Sequence, residues 1–269
     1  MGRGHVEVAH VDELPWTSGE LAPGLAECRY KTLSCDTENG GFTRYVSVEE
    51  GWGGDGVILD RPHEVYVIDG ALAVDDRSIS DGGYVRVPPD VPVRISADAD
   101  TRCFWMTGIG PSIDPDLEGP VETEILVRDA TSMEWEDTFV PGPDPGLYIK
   151  LLWKDEDSGA YTRLIRAEKG WAEDRVEHHD CVEEIYTLEG HSDAYKTDPM
   201  DEGTYVWRPP RIRHGPYEAV EETVFFIRTD GELVNHYTSK DGEPLNYDGP
   251  PPERTAADGR STPITDGES

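Results

Sequence analysis

The chain reads as an all-β protein made of two tandem jelly-roll barrels, and two observations carry that reading. Short runs rich in β-branched and aromatic residues, such as YTRLIRAEKG, EEIYTLEG and GTYVWRPP, are set apart by Gly, Pro and Asp clusters. No 3.6-residue apolar period is sustained, so helices are minor, and regularly spaced short strands suit a sandwich or barrel. The second observation is internal repetition. KTLSCDTENGGFTRYVSVEEGW (31–52) aligns without gaps on KLLWKDEDSGAYTRLIRAEKGW (150–171). Further on, HEVYVIDG (63–70) matches EEIYTLEG (183–190), and GGYVRVPP (82–89) matches GTYVWRPP (203–210). The order is kept while the offset grows from 119 to 121 residues, as lengthening loops of a duplicated domain would allow.

Each element then has a place. Residues 1–24 form an N-terminal segment, and 25–118 the first barrel. Residues 119–144 connect the two, since the stretch DATSMEWEDTFVPGPDPG is dense in Pro and Gly turns. The second barrel spans 145–238, and the tail 239–269 is too polar and Pro/Gly-rich to build a core, so it is expected to be an extended strap or disordered.

Composition narrows the function classes. The net charge of −32 excludes the clustered Lys and Arg of a nucleic-acid groove. Seven Trp and twelve Tyr argue against general disorder at that charge. Most of the 24 basic residues are Arg, and abundant Asp and Glu with scarce Lys suit a protein from a salt-loving cytoplasm. No stretch is apolar enough for a signal sequence or a membrane span, which gives a cytoplasmic expectation with no membrane partner. Four cysteines without CxxC spacing make neither a disulfide framework nor a zinc knuckle.

The chemistry concentrates in VEHHDCVEEIYTLEG (176–190). On a strand, alternate side chains share a face, so Glu177 and His179 point one way and His178 the other. Glu183 follows after a turn at Asp180 and Cys181, and a second element from Gly203 through Pro209 supplies His214. Two imidazoles and two carboxylates suit a divalent first-row metal with positions left open.

These spacings resemble the two cupin motifs, G-x5-H-x-H-x3,4-E-x6-G and G-x5-P-x-G-x2-H. Here they read Glu177-x-His179-x3-Glu183-x6-Gly190, preceded by Gly170, and Gly203-x5-Pro209-x4-His214. The resemblance covers both repeats and implies a two-domain cupin, similar to small-metabolite and anti-sigma-factor-type members. Three departures stand out: Glu177 replaces the first histidine, Gly170 lies one residue farther away, and Arg211 replaces the glycine of the second motif. A β-bulge turning His178 inward would restore three imidazoles, whereas parity favours Glu177. In the first repeat Val57, Leu59, His63 and Val93 occupy the ligand positions, so that barrel reads as one that has lost its metal, with His63 an ordinary hydrogen-bonded or surface histidine.

The resemblance implies a metal-dependent enzyme acting on a small oxygenated or carboxylated metabolite, dioxygenase-like first and isomerase or lyase second. His179, Glu183 and His214 would hold one ion, Fe or Mn before Zn or Ni, with Glu177 a fourth ligand or general base. Arg208 and Arg213 flank His214 and have no Arg at their equivalents Val87 and Pro92, which makes them candidates to grip a substrate carboxylate. A homodimer is allowed. The alternative is a non-catalytic sensor or binding module of the anti-sigma-factor kind, built on a closed zinc site. The plainer expectations are that Glu184 and Glu189 are solvated acidic surface, Cys181 a turn residue and His191 exposed. Trp171, Trp207 and Tyr186 are expected in the core, and the repeated Arg44 and Arg163 in structural salt bridges.

The charge makes a prediction of its own. With 56 acidic groups against 24 basic ones, self-repulsion is screened in molar salt, where the Debye length is about 3 Å. The thermal midpoint should therefore fall as KCl is lowered from molar to millimolar, and a flat midpoint would show that the charge is no adaptation to salt.

Overall fold

The computed structural model describes residues 2–108, 123–137, 146–195 and 198–238, together with two short strands, Arg254–Thr255 and Ser261–Thr262. Most of the 239–269 tail and parts of the 119–144 connection lie outside the described residues. Among them the one helical element is a 3-10 turn, Val11–Glu13.

In chain order the first strands are β1 (Val6–His10), β2 (Thr17–Gly19), β3 (Cys28–Cys35), β4 (Phe42–Val48), β5 (Gly53–Val57) and β6 (His63–Asp69). Next come β7 (Ala71–Val74), β8 (Arg77–Ser80), β9 (Gly83–Val87), β10 (Val93–Ala97), β11 (Thr101–Thr107) and β12 (Leu126–Asp129). The second half contributes β13 (Glu136–Asp137), β14 (Leu147–Lys154), β15 (Tyr161–Ala167), β16 (Ala172–Glu173), β17 (Val176–His178) and β18 (Glu183–Glu189). It continues with β19 (His191–Ala194), β20 (Asp198–Asp201), β21 (Thr204–Arg208), β22 (Tyr217–Ala219), β23 (Thr223–Thr229) and β24 (His236–Thr238).

Residues 11–133 form one compact unit, and residues 3–10 with those from 134 onward form the other. In the first unit the chain folds as a nest of antiparallel pairs: β7 with β8, β6 with β9, β5 with β10 and β4 with β11. From β4 to β11 the chain alternates between a seven-stranded sheet and a four-stranded one, except that β7 and β8 form a hairpin within the smaller sheet, which is jelly-roll winding. The second unit repeats the nest with β19 and β20, β18 and β21, β16 and β22, and β15 and β23. The first core draws on both of its sheets, with Val65, Val85 and Trp105 from one and Leu72, Ile79 and Ile95 from the other.

A bare sheet edge invites unwanted pairing, and each seven-stranded sheet covers one. In the first unit β12 pairs with β9; in the second, β1 from the N-terminal segment pairs with β21, Val6 opposite Trp207. The duplication extends into the polar core. Glu64 accepts hydrogen bonds from Tyr84 Oη (2.6 Å) and Arg86 Nη1 (3.0 Å). Its counterpart Glu184 accepts from Tyr205 Oη and Arg228 Nη1, both at 2.7 Å. The expectation that Glu184 is solvated surface is thus corrected. A carboxylate this deep is tolerated because a buried guanidinium pairs it. Glu189 is exposed, and His191 is partly so, pairing with Asp201.

The pairing of β1 is reinforced by Glu7, whose carboxylate accepts from Arg208 Nε (3.1 Å) and Nη2 (2.6 Å) and faces His5 Nε2 at 2.7 Å. Burial alone would raise the Glu7 carboxyl, but the charge of Arg208, with His5, outweighs it and holds it far below the usual 4.5. A depressed acid contributes stability that is present above its unfolded value and lost as pH falls through the folded one. Glu7→Gln should therefore cost the protein about 3 kcal/mol at pH 7, the scale of a broken buried pair. The stability difference between wild type and variant should shrink as pH drops below about 4.5, which denaturant melts across pH would read directly.

Candidate metal centre

Strand β17 runs antiparallel to β24 with His178 opposite His236. The same stretch bridges to the loop after β21: the Glu177 N–H donates to the His214 carbonyl (2.9 Å), and the His214 N–H to the Glu177 carbonyl (2.8 Å). That exchange sets residues 177 and 214 side by side. The loop takes its turn at Arg211, which has φ of +70° where the motif has glycine, and whose N–H donates to the His179 carbonyl at 2.7 Å. A left-handed L-residue costs about 1–2 kcal/mol, and Arg211 Nε also donates to Asp180 at 3.1 Å.

Strand alternation decides the orientation. Glu177, His179 and His214 each offer a ligand atom within 4.8 Å of the others, and all three are buried. His178 faces away, its ring stacked on His236 at 5.0 Å between centroids. Glu183 adjoins the cluster: Oε1 lies 3.7 Å from His179 Nε2, and Oε2 lies 3.5 Å from His214 Nε2. Glu183 Oε2 also accepts from Arg208 Nη1 at 2.7 Å, a cross-strand partner on β21. Glu177 Oε1 is 3.8 Å from His214 Nε2, and its Oε2 makes no hydrogen bond. Cys181 is buried beside the cluster without joining it, and burial pushes its thiol up to about 12.

The imidazole tautomers follow from their outer partners. His214 Nδ1 is 2.8 Å from the Ile212 carbonyl, and His179 Nδ1 is 3.3 Å from that of Val234. A carbonyl only accepts, so each Nδ1 carries the hydrogen and each Nε2 presents a lone pair. The two Nε2 atoms face each other 3.0 Å apart. Two lone pairs at that distance repel unless a proton or a cation is shared between them, so the donor set fits a metal ion.

Charge states agree. Burial lowers both imidazoles, His214 to about 3, with Arg208 adding to the effect, so both are neutral at pH 7. Burial raises Glu177 to about 8, helped by the negative charges of Glu183 and Glu173. Burial also opposes ionisation of Glu183, but the imidazoles where they are protonated at low pH, and the Arg208 guanidinium at every pH, outweigh it and hold that carboxyl well below its usual value.

The cluster opens onto a cavity of about 600 Å³ whose lining includes Glu177, His179, Glu183, Arg163 and Trp171. Trp207 and Tyr186 are core residues as expected, but Trp171 is only half-buried and lines this cavity, its Nε1 buried without a partner. Its repeat Trp52 instead donates to the Ala26 carbonyl at 2.9 Å and packs edge-on against Trp105. The salt bridges expected of Arg44 and Arg163 are replaced by stacking, Arg44 over Tyr30 and Phe42 and Arg163 over Tyr161. Arg208 is fully buried between Glu7 and Glu183, and Arg213 is buried and donates to Thr238 Oγ1 at 3.1 Å; neither lines the cavity. In the first unit Val57, Leu59 and Val93 are packed in the core, and His63 Nδ1 accepts from Trp105 Nε1 at 2.8 Å. Sequence reasoning missed Glu7, which lies 201 residues from its partner Arg208, and His236, which holds His178 away; no local pattern marks either.

No curated protein matches the chain. Among solved structures, it is similar to a candidate dioxygenase from Nostoc punctiforme, at 17% identity and a TM-score of 0.72, over 91% of this chain and 87% of that one. It is also similar to a glyoxylate-induced protein candidate from Pseudomonas aeruginosa, at 15% identity and a TM-score of 0.64, covering 81% and 85%. A third is the oxalate decarboxylase of Bacillus subtilis, described with Mn(II) centres, at 14% identity and a TM-score of 0.54, covering 87% and 79%. Identities this low show the fold alone, an all-β cupin jelly roll. No helix among the described residues is long and apolar enough to cross a membrane. The model of a domain of unknown function, DUF4437, matches residues 7–236, and the chain belongs to that family.

Proposed function

We propose that His179, Glu183 and His214 hold one divalent first-row metal, Fe(II) or Mn(II) before Zn(II) or Ni(II), with Glu177 a fourth ligand or a general base, and that the protein is a metal-dependent enzyme. Its substrate would be a small oxygenated or carboxylated metabolite, with dioxygenase-like chemistry first and isomerase or lyase chemistry next. The observation that carries the reading is the pair of facing Nε2 lone pairs 3.0 Å apart, tied off behind by backbone carbonyls. Lewis acidity toward a substrate oxygen is the chemistry such an ion supplies. The similar folds of a candidate dioxygenase and of an oxalate decarboxylase with Mn(II) centres support the reading.

The chain's own groups have separate tasks. His179 and His214 stay neutral and offer nitrogen, while Arg208 keeps Glu183 ionised and oriented. Glu177, raised to about 8 by burial, holds a proton at neutral pH in the metal-free protein, and it lines the cavity as the group able to move one. The remaining walls, Ile185, Phe225 and Ile227 among them, are apolar. A sensor built on a closed four-ligand site has no use for a cavity of about 600 Å³ at its metal, which favours the enzyme.

Two measurements test this. Elemental analysis should find one metal per chain; His179→Ala and His214→Ala should lose it, and Glu183→Gln should bind it at least tenfold more weakly. His178→Ala should keep its metal; loss there together with retention in Glu177→Ala would mean that His178 is the ligand. An oxygen-uptake and product screen over 1,3-diketones and keto acids, run with Mn(II)- and Fe(II)-loaded protein, should find turnover that Glu177→Gln reduces by 10²-fold or more.

A further inference from the structure

We infer that Arg163 is the anion-recognition residue of the second barrel's cavity, and that the ligand is a monocarboxylate with an apolar body. The inference rests on that cavity being the substrate site.

Of the charged groups lining the cavity, the carboxylates of Glu173 and Glu183 are already matched, by Arg175 (2.6 and 2.7 Å) and by Arg208 (2.7 Å). Glu177 belongs to the proposed ligand set. Arg163 is the cation left over: its Nε is buried without a hydrogen-bond partner, and no ion pair joins it to an acid among the described residues. In a chain of net charge −32, a guanidinium left without an acid in a cavity is conspicuous. Arg163 is half-buried, with the Tyr161 ring on one face of its guanidinium, so an anionic ligand entering the cavity meets a charged donor partly removed from water.

The internal repeat supplies a control. Arg44, the equivalent of Arg163, has a buried Nε without a partner as well, so the two barrels differ in what covers the guanidinium: Arg44 lies 4.0 Å from the rings of both Phe42 and Tyr30. In the second barrel Tyr161 replaces Phe42 and stacks on Arg163 at 4.2 Å, but Ile149 replaces Tyr30 and lines the cavity. An arginine covered by two rings in one barrel has a single ring partner in the other, where it borders the hollow. Two further buried donors without partners, Trp171 Nε1 and Tyr217 Oη, line the same cavity.

Register gives the ligand its length and character. Arg163 stands opposite Ile227, which stands opposite Ile185, and Glu183 is the next residue on the face of Ile185. Two strand spacings and one same-face step separate the Arg163 and Glu183 backbones by roughly 12 Å. The wall between them is isoleucine. A ligand that meets both ends carries its carboxylate at Arg163, its apolar body over Ile227 and Ile185, and its reacting end at Glu177 and the imidazoles.

The test is calorimetric titration of octanoate and its neutral amide, octanamide, into the full-length metal-loaded protein. Octanoate should bind at least tenfold more tightly than octanamide, as expected of a charge-assisted pair. Arg163→Gln should erase that difference by weakening octanoate while leaving octanamide unchanged, which also reports an intact cavity. Arg163→Lys should restore part of it. Equal affinities in the wild type, or octanoate affinity within twofold of wild type in Arg163→Gln, would overturn the assignment. So would octanoate binding that is lost on chelating the metal but kept in Arg163→Gln, since the carboxylate would then sit on the ion. Metal content measured on the same samples separates this from the metal reading: a protein without metal that still discriminates octanoate from octanamide through Arg163 sinks the latter and not the former.

Discussion

A guanidinium taken wholly out of water demands anions around it, and the second barrel is arranged about that demand at Arg208. Its Nε and Nη2 bind Glu7, and its Nη1 binds Glu183. Removing either carboxylate would leave buried guanidinium N–H groups without acceptors, at a cost of about 1–3 kcal/mol or more. The N-terminal strand is therefore held to the edge of β21 by an ion pair as well as by its ladder. The same guanidinium fixes Glu183 as a carboxylate beside two neutral imidazoles. One residue thus links the closure of the sheet to the donor set, and β1 belongs with the barrel it closes.

The duplicated halves show which of these features travel together. Glu64 and Glu184 keep their tyrosine partners, Tyr84 and Tyr205, but draw arginine from different strands, Arg86 on β9 and Arg228 on β23. The buried acid persists while its counter-charge is supplied from wherever the sheet can offer it. At the candidate metal cluster the divergence is complete. Where the second barrel has Glu183 and Arg208, the first has His63 and Val87, so both charges of the pair are absent together. Either alone would be an isolated buried ion. His63 takes its hydrogen bond from Trp105 instead.

The fold was legible because repetition and alternation are local patterns: alignment of the repeats at offsets of 119 to 121 placed the strands, and parity put Glu177 rather than His178 beside His179. What escaped depends on pairing across the fold. Glu184 reads as surface in a chain so rich in acid, and only Arg228, 44 residues on, makes it a core residue. Arg208 reads as a free cation because Glu7 is remote in sequence. Trp171 matches Trp52 letter for letter, yet one indole donates to a carbonyl and the other borders a hollow. Equal residues at equal positions shared a backbone environment but not the neighbours that set their role.

Those neighbours explain the hollow itself. By register, Ile227 opposite Arg163 is the counterpart of Trp105 opposite Arg44, and Ile149 is the counterpart of Tyr30. Two large aromatics in the filled barrel are two isoleucines in the open one, and both isoleucines line the cavity. A large-to-small difference in a core lining leaves atoms without contact partners, and the more so the deeper the position is buried. A barrel that carries such a gap is under-packed until something apolar enters it. The gap lies between the imidazole cluster at one end and Arg163 at the other, so an occupant of its shape would restore packing and touch both ends at once.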